Sequence, residues 1–255
     1  MLLAIDIGNT NIVIGGIDKD KIHFIARLST EKKLSSDEYT IQIKNILDIY
    51  NIDILDIEDC ILSSVVPPVL DALIQTIKTI TKKEPMIVGP GIKTGLNILT
   101  DNPAQLGSDL VVNSVACLNQ FKAPLIIIDM GTATTISVID KNKNYIGGAI
   151  VPGVKISLNA LSGMTAQLPY INLEEPKKTV GTNTIDCMKS GIVLGNASMV
   201  DGMIERIEED LGYNLTVVAT GGIARHIIPF CKKDIIYDDN LLLKGLYCIY
   251  IKNKK

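Results

Sequence analysis

The chain writes one phrase twice. Leu3-Ala4-Ile5-Asp6-Ile7-Gly8-Asn9-Thr10-Asn11 leads through an apolar run into Ile17-Asp18-Lys19-Asp20-Lys21. Ile126-Ile127-Ile128-Asp129-Met130-Gly131-Thr132-Ala133-Thr134 leads through another into Ile139-Asp140-Lys141-Asn142-Lys143. Each copy reads as a buried strand, an Asp-x-Gly-polar turn and a second strand, with the spacing slipping by one residue between the turns. A duplicated strand–turn–strand constrains the fold more than any local propensity, because the chain must then build two related units. A length of 255 residues accommodates two small domains. The boundary is expected near Asn119–Ala123, giving domains 1–119 and 120–255.

The rest of each half repeats a common plan. In the first, a third strand is predicted over 21–28 and a helix over 36–50, opened by the Ser-x-x-Glu spacing of Ser35 and Glu38. A short strand follows at 61–66. Pro67-Pro68 suits the first turn of a helix reaching Thr81, and a strand at 86–88 precedes a helix starting near Ser108. In the second, strands are predicted at 125–130, 133–139 and 145–151, with helical material after Pro152-Gly153. A long helix at 184–211, a strand at 215–219, a helix after Gly221-Gly222 and a last helix at 240–252 complete it. Two βββ-then-αβα units imply an α/β fold, each unit a mixed sheet flanked by helices. Trp is absent and aromatics make up 4%, so the cores must be aliphatic.

Composition excludes several function classes. A net charge of −3 with no basic cluster before Lys252-Asn253-Lys254-Lys255, read as a solvated tail, argues against a nucleic-acid partner. No apolar run approaches the roughly 20 residues that span a bilayer, and the chain opens in a strand without a signal peptide. Cys60, Cys117, Cys187, Cys231 and Cys248 are odd in number and scattered, as reduced thiols of a cytoplasmic protein would be. His23 and His226 lack ligand spacing, so Cys/His metal ligation is not expected.

The duplicated turn has a definite chemistry. A glycine lets backbone N–H groups approach a phosphate, small hydroxyl or amide side chains follow, and an Asp can hold a metal or a water. Two such hairpins facing a cleft can grip the β- and γ-phosphates of a nucleotide. Further along, Asp109 offers a carboxylate that can take the proton of an attacking hydroxyl. Its other reading is a helix cap, since Ser108-Asp109 opens an apolar helix.

These residues resemble the sugar kinase, actin and chaperone ATPase superfamily, whose two ribonuclease H-like domains stand in tandem. More narrowly, the chain resembles the type III pantothenate kinase family. The markers run in order: Asp6-Ile7-Gly8-Asn9-Thr10; Asp101-Asn102-Pro103 with Gly107-Ser108-Asp109; Asp129 to Thr134; Gly147 to Gly153; Thr165-Ala166-Gln167-Leu168-Pro169; Gly181-Thr182-Asn183-Thr184 with Ser190-Gly191; Thr220-Gly221-Gly222; and Leu243-Lys244-Gly245-Leu246. They span essentially the whole chain.

The resemblance implies phosphorylation of the primary hydroxyl of pantothenate by ATP, the first step towards coenzyme A, in a cytoplasmic homodimer. It implies that Asp6, Ile7, Gly8, Asn9, Thr10, Asn11, Ile12 and Val13 form the first ATP-phosphate loop. Asp6 would lie near Mg2+ or another divalent cation, through water. Thr132 would contact phosphate, Gly221 and Gly222 would face adenosine, and Asp129 would help bind a monovalent cation, K+ or NH4+. Gly107, Ser108, Asp109, Leu110 and Thr184 would meet pantothenate, with Asp109 the general base. Two positions depart from the family's pattern. Leu110 stands where Arg is common after the catalytic Asp, and Thr100 where Tyr often precedes Asp-Asn-Pro. Arg would suit a substrate carboxylate, so a kinase for another small hydroxy acid is one alternative and a catalytically silent ATP-binding regulator the other.

Gly191, Gly195, Ser198 and Gly202 recur on one face of the long helix. Interior helical glycines cost about 1 kcal/mol each relative to Ala, which close backbone packing can offset. That packing is either within the chain or across a two-fold axis.

Overall fold

The duplicated phrase becomes two hairpins of the same construction. The computed structural model describes residues 1–19 and 21–254; Asp20, in the predicted Asp-Lys turn, and Lys255, at the end of the predicted tail, lie outside the described residues. β1 (Leu2–Ile7), β2 (Asn11–Asp18) and β3 (Lys21–Ser29) are followed by α1 (Ser36–Ile49), β4 (Asp59–Ser64), α2 (Pro67–Thr81) and β5 (Met86–Ile87). β6 (Asn97–Ile98) and α3 (Ser108–Gln120) precede β7 (Leu125–Met130), β8 (Ala133–Ile139) and β9 (Asn144–Pro152). α4 (Val154–Gly163), α5 (Thr184–Leu211), β10 (Thr216–Thr220), α6 (Ala224–Ile227), β11 (Ile236–Tyr237) and α7 (Leu241–Asn253) complete the chain.

The first sheet has the strand order β3-β2-β1-β4-β5 and the second β11-β10-β7-β8-β9-β6. Read backwards from β9, the second is the first with β6 added at the edge. In each, three strands meander antiparallel and two more lie parallel to the first. Even the irregularity repeats: the β2–β3 ladder slips between Gly16 and Ile17, and the β8–β9 ladder between Val138 and Ile139. The one-residue difference in spacing sits in the turns. Gly8 N–H donates to the Asn11 carbonyl at 3.0 Å, whereas Gly131 N–H donates to the Ala133 carbonyl at 3.0 Å, one residue sooner.

Two compact units result: Met1–Leu96, Asp101–Asn119 and Asn240–Lys255 form the first, Asn97–Thr100 and Gln120–Asp239 the second. In the first unit both faces of the sheet are covered, so every residue of β1 is buried. Leu3, Ile5 and Ile7 meet Tyr39, Ile43 and Leu47 of α1 and Leu73 and Ile77 of α2. Leu2, Ala4 and Ile61 meet Val112 and Val115 of α3 and Leu243, Leu246 and Ile249 of α7. Each such Leu, Ile or Val side chain contributes about 1.5–3 kcal/mol on burial. In the second unit Ile126, Ile128 and Met130 pack on Val154 and Leu158 of α4 and on Ile192, Val193, Val200 and Ile204 of α5.

Two expectations drawn from chain order give way to packing. The last helix does not stay with the second half: the Val112 carbonyl of α3 lies where only Gly245 of α7 leaves room, and Leu243 fills the space beside Gly15. The described part of the basic C-terminal run is also not a free tail. Lys252 Nζ donates to the Thr94 carbonyl at 2.7 Å. The Asn253 side chain accepts from Lys93 N–H at 3.0 Å and donates to the Lys93 carbonyl at 2.9 Å.

Candidate active site

In the first unit the polar residues gather where β1 and β4 end. Asp6 pairs laterally with Val13 of β2 and Ser63 of β4. Alternation puts Asp6 and Ser63 on the face that α3 covers, and both are buried. Ser63 Oγ donates to Ser108 Oγ at 3.0 Å, and Ser108 Oγ donates to the Ser64 carbonyl at 2.9 Å. Ser108 is the first residue of α3, and its hydroxyl ties the helix to β4.

That tie sets the position of the next residue, Asp109. The side chain is half-buried, and Leu110 N–H donates to its Oδ1 at 2.9 Å. Burial pushes its carboxyl above the ordinary carboxylate value; the hydrogen bond from Leu110 and the one from its own backbone oppose that rise. Gly107 gives the carboxylate room, since a Cβ there would stand 2.5 Å from Oδ1. Asp109 is the second residue of α3 and not its cap; its Oδ1 takes the N–H of the next residue. Leu110 is half-buried, and its carbonyl accepts from Ser114 Oγ at 2.7 Å.

The turn joining β1 and β2 carries Asn9, Thr10 and Asn11, all exposed, while Ile12 is buried and Val13 half-buried in the strand beyond. Thr30, which the sequence reading passed over, donates from Oγ1 to the Gly8 carbonyl at 2.7 Å.

In the second unit, Asp129 pairs with Thr135 of β8 and Thr220 of β10. The turn Gly131–Thr132 is exposed. Gly221, with φ +93°, runs directly past the strand end: a Cβ there would stand 2.7 Å from the Met130 carbonyl oxygen and 2.8 Å from Asp129 Oδ1. Only glycine combines that backbone conformation with that proximity. Gly222 next to it faces open space. Thr184 is exposed in the first turn of α5, behind the Asn183 cap, whose side chain accepts from Asp186 N–H at 2.9 Å. Gly181 lies against the backbone of Asp186 and Cys187 in that same turn.

Among the described residues no backbone lies against Gly191 or Gly195 on the small-residue face of α5. Among the described residues nothing lies within 4 Å of where a Cβ would stand on Gly191 or Gly195, and Gly202 meets only Arg206 Nη1 at 3.0 Å. The intrachain-packing reading of these glycines is therefore overturned.

The sequence model of the type III pantothenate kinase family matches residues 2–206. A type III pantothenate kinase of Halalkalibacterium halodurans is 43% identical over 253 residues, 99% of this chain and 100% of its own length. One from an Exiguobacterium species is 44% identical over 255 residues, covering 100% of both. The chain belongs to the type III pantothenate kinase family. Its fold of two mixed sheets flanked by helices is shared with a sugar kinase structure, a putative N-acetylglucosamine kinase of Porphyromonas gingivalis, with a TM-score of 0.53 at 10% identity over 100% of each chain. A conserved Campylobacter jejuni protein assigned to the Baf family of transcriptional activators superposes with a TM-score of 0.62 at 20% identity over 98% of each chain, a likeness of fold alone.

For a type III pantothenate kinase the first unit thus brings together Asp6, Gly107, Ser108, Asp109 and Leu110 by way of β4, and holds Gly8–Asn11 on the adjoining hairpin. The second brings Asp129 and Gly221 together beside the Gly131–Thr132 turn. Ser63 and Thr30 are the residues that sequence reasoning missed. Ser63 sits in an apolar strand with no signal of its own. Thr30 was within reach, because it follows the third strand as Gly153 does in the second copy.

Proposed function

We propose that this chain transfers the γ-phosphoryl group of ATP to the primary hydroxyl of pantothenate, with Asp109 accepting the hydroxyl proton. Asp109 carries this reading: a half-buried carboxylate with a raised pKa at a helix start, flanked by a glycine, is suited to take a proton from an alcohol. Family membership supports the substrates. The product is 4'-phosphopantothenate, the first intermediate towards coenzyme A. General-base help is worth about 10²–10⁴ in rate. The larger share falls to positioning and charge neutralisation by the turns Gly8–Asn11 and Gly131–Thr132.

A kinase of this family uses ATP with a divalent cation. Among the described residues no three carboxylate, Cys or His side chains cluster as a metal site. That suits Mg2+ held chiefly by phosphate oxygens and water, with one carboxylate, Asp6, binding through water. The cation neutralises phosphate charge when bound. A monovalent cation, K+ or NH4+, suits the hard carboxylate oxygens of Asp129, the residue to which the family resemblance assigns it. Gly221 and Gly222 would face adenosine, and Thr184 would meet pantothenate. The open glycine face of α5 supports a homodimer in which a second α5 covers it. The reading places the enzyme in the cytoplasm.

The experiment is ADP release from MgATP with and without pantothenate, in sodium, potassium and ammonium buffers. Pantothenate-dependent release that requires potassium or ammonium is expected. Leu110, an aliphatic side chain beside the base, favours one alternative, a different small hydroxy acid as acceptor. Turnover with such an acid but not with pantothenate would establish it. MgATP binding without acceptor-dependent release would indicate a silent regulator.

A further inference from the structure

The residue after the third strand holds the same post in both units. Asn11 pairs with Ser29, and Ala133 with Pro152. Thr30 and Gly153 are therefore equivalent, each next to its Asp-x-Gly turn. Their means differ. Thr30 bonds the turn twice: Oγ1 donates to the Gly8 carbonyl at 2.7 Å and its N–H to the Thr10 carbonyl at 3.0 Å. Gly153 touches its turn with bare backbone. A Cβ there would overlap the Thr132 carbonyl oxygen, standing 2.7 Å from the Thr132 carbonyl carbon and 3.0 Å from the Gly131 oxygen.

Conformation does not explain this glycine. Its φ of −65° and ψ of 154° are open to every residue. Space alone demands it, and the atoms that demand it are backbone, which cannot swing aside as a side chain can. Both turns are exposed at their tips, and ordering such a segment when a ligand arrives would cost conformational entropy.

We propose that Thr30 and Gly153 are positioning residues for the nucleotide phosphates, holding Gly8–Asn11 and Gly131–Thr132 in the shape that receives them. This rests on the kinase reading. One unit uses a hydroxyl as a strut, and the other uses close backbone approach at the same topological point. Fixed donors need no rearrangement when charge develops on the phosphoryl group.

Calorimetric titration of MgATP into the full-length protein tests it, with steady-state kinetics for pantothenate at saturating ATP alongside. Thr30→Val keeps the shape and loses the donor; the expected rise in Kd for MgATP is about fivefold, the worth of one net hydrogen bond. Thr30→Ser, which keeps the hydroxyl, should bind within about twofold of wild type on the same measure. Gly153→Ala should weaken MgATP by about tenfold or more, as misplacement of about an ångström does. The KM for pantothenate should stay unchanged throughout. Thr30→Val binding MgATP as tightly as wild type overturns the proposal, as does an equal loss towards pantothenate. Should Gly153→Ala fail to fold, the Thr30 pair decides. Wild-type protein that binds no MgATP would instead remove the kinase reading, and this proposal with it.

Discussion

Asp6 and Asp129 occupy one position in two sheets. Asp6 lies between Val13 on the antiparallel neighbour and Ser63 on the parallel one; Asp129 lies between Thr135 and Thr220. Each is followed two residues later by the turn glycine. Their surroundings then diverge: Asp6 is buried beneath the α3 face, whereas Asp129 meets the backbone at Gly221. A duplicated carboxylate with two environments can serve two cations.

Asp6→Asn keeps the shape and removes the charge. The Mg2+ concentration for half-maximal activity should rise about tenfold or more, the usual cost of losing one partner of a metal. A magnesium titration at fixed ATP measures it. An unchanged midpoint would move the divalent site elsewhere.

Gly221→Ala forces a side chain into the left-handed region and against the Met130 carbonyl. Strain of about 2 kcal/mol is expected, a fall of roughly 4–8 °C in Tm for a chain of this size. Stimulation by potassium or ammonium should weaken as well. Thermal melts and cation titrations read the two effects separately.

The raised pKa of Asp109 has consequences of definite sign. As the base it must be ionised, so kcat/KM should fall with decreasing pH through a value above the ordinary carboxylate figure of about 3.9. Its ionised form is disfavoured by folding, so the carboxylate costs stability above its folded pKa and nothing below its unfolded one. Asp109→Asn should therefore match wild type in acid and gain Tm over it as pH rises through that window. Melts of both proteins across pH decide it, and a variant less stable than wild type at neutral pH would contradict the sign.

Ser35 closes the start of α1 far from the chemistry. Its Oγ accepts from Glu38 N–H at 3.3 Å, and Glu38 Oε2 accepts from Ser35 N–H at 2.8 Å. Ser35→Ala should cost about 1 kcal/mol, roughly 2–4 °C in Tm, with kcat and KM unchanged.

Gly195→Arg places a long charged side chain on the open face of α5. The monomer has room for it. Sedimentation should show wild-type dimers and variant monomers; a dimeric variant would place the interface elsewhere.

Much of this fold was legible because its signals are local. The strand–turn–strand repeat, the Ser35 box and Pro67-Pro68 mark the paired hairpins, α1 and α2 where the structure has them. What escaped depends on contacts distant in sequence. β6 and β11 have two residues each and exist only through pairing with β9 and β10. The place of α7 in the first unit rests on Gly245 meeting Val112, which no periodicity reveals. The sequence marks the turn residues and Asp109, but not the supports behind them. Ser63 is polar in an apolar strand, and its purpose appears only once Ser108 lies 3.0 Å away.

The most direct measurement is single-turnover phosphoryl transfer to pantothenate by Asp109→Asn, with MgATP affinity measured on the same preparation. Transfer should fall by 10² or more while the Kd for MgATP stays at the wild-type value. Transfer at near wild-type rate would contradict Asp109 as the base.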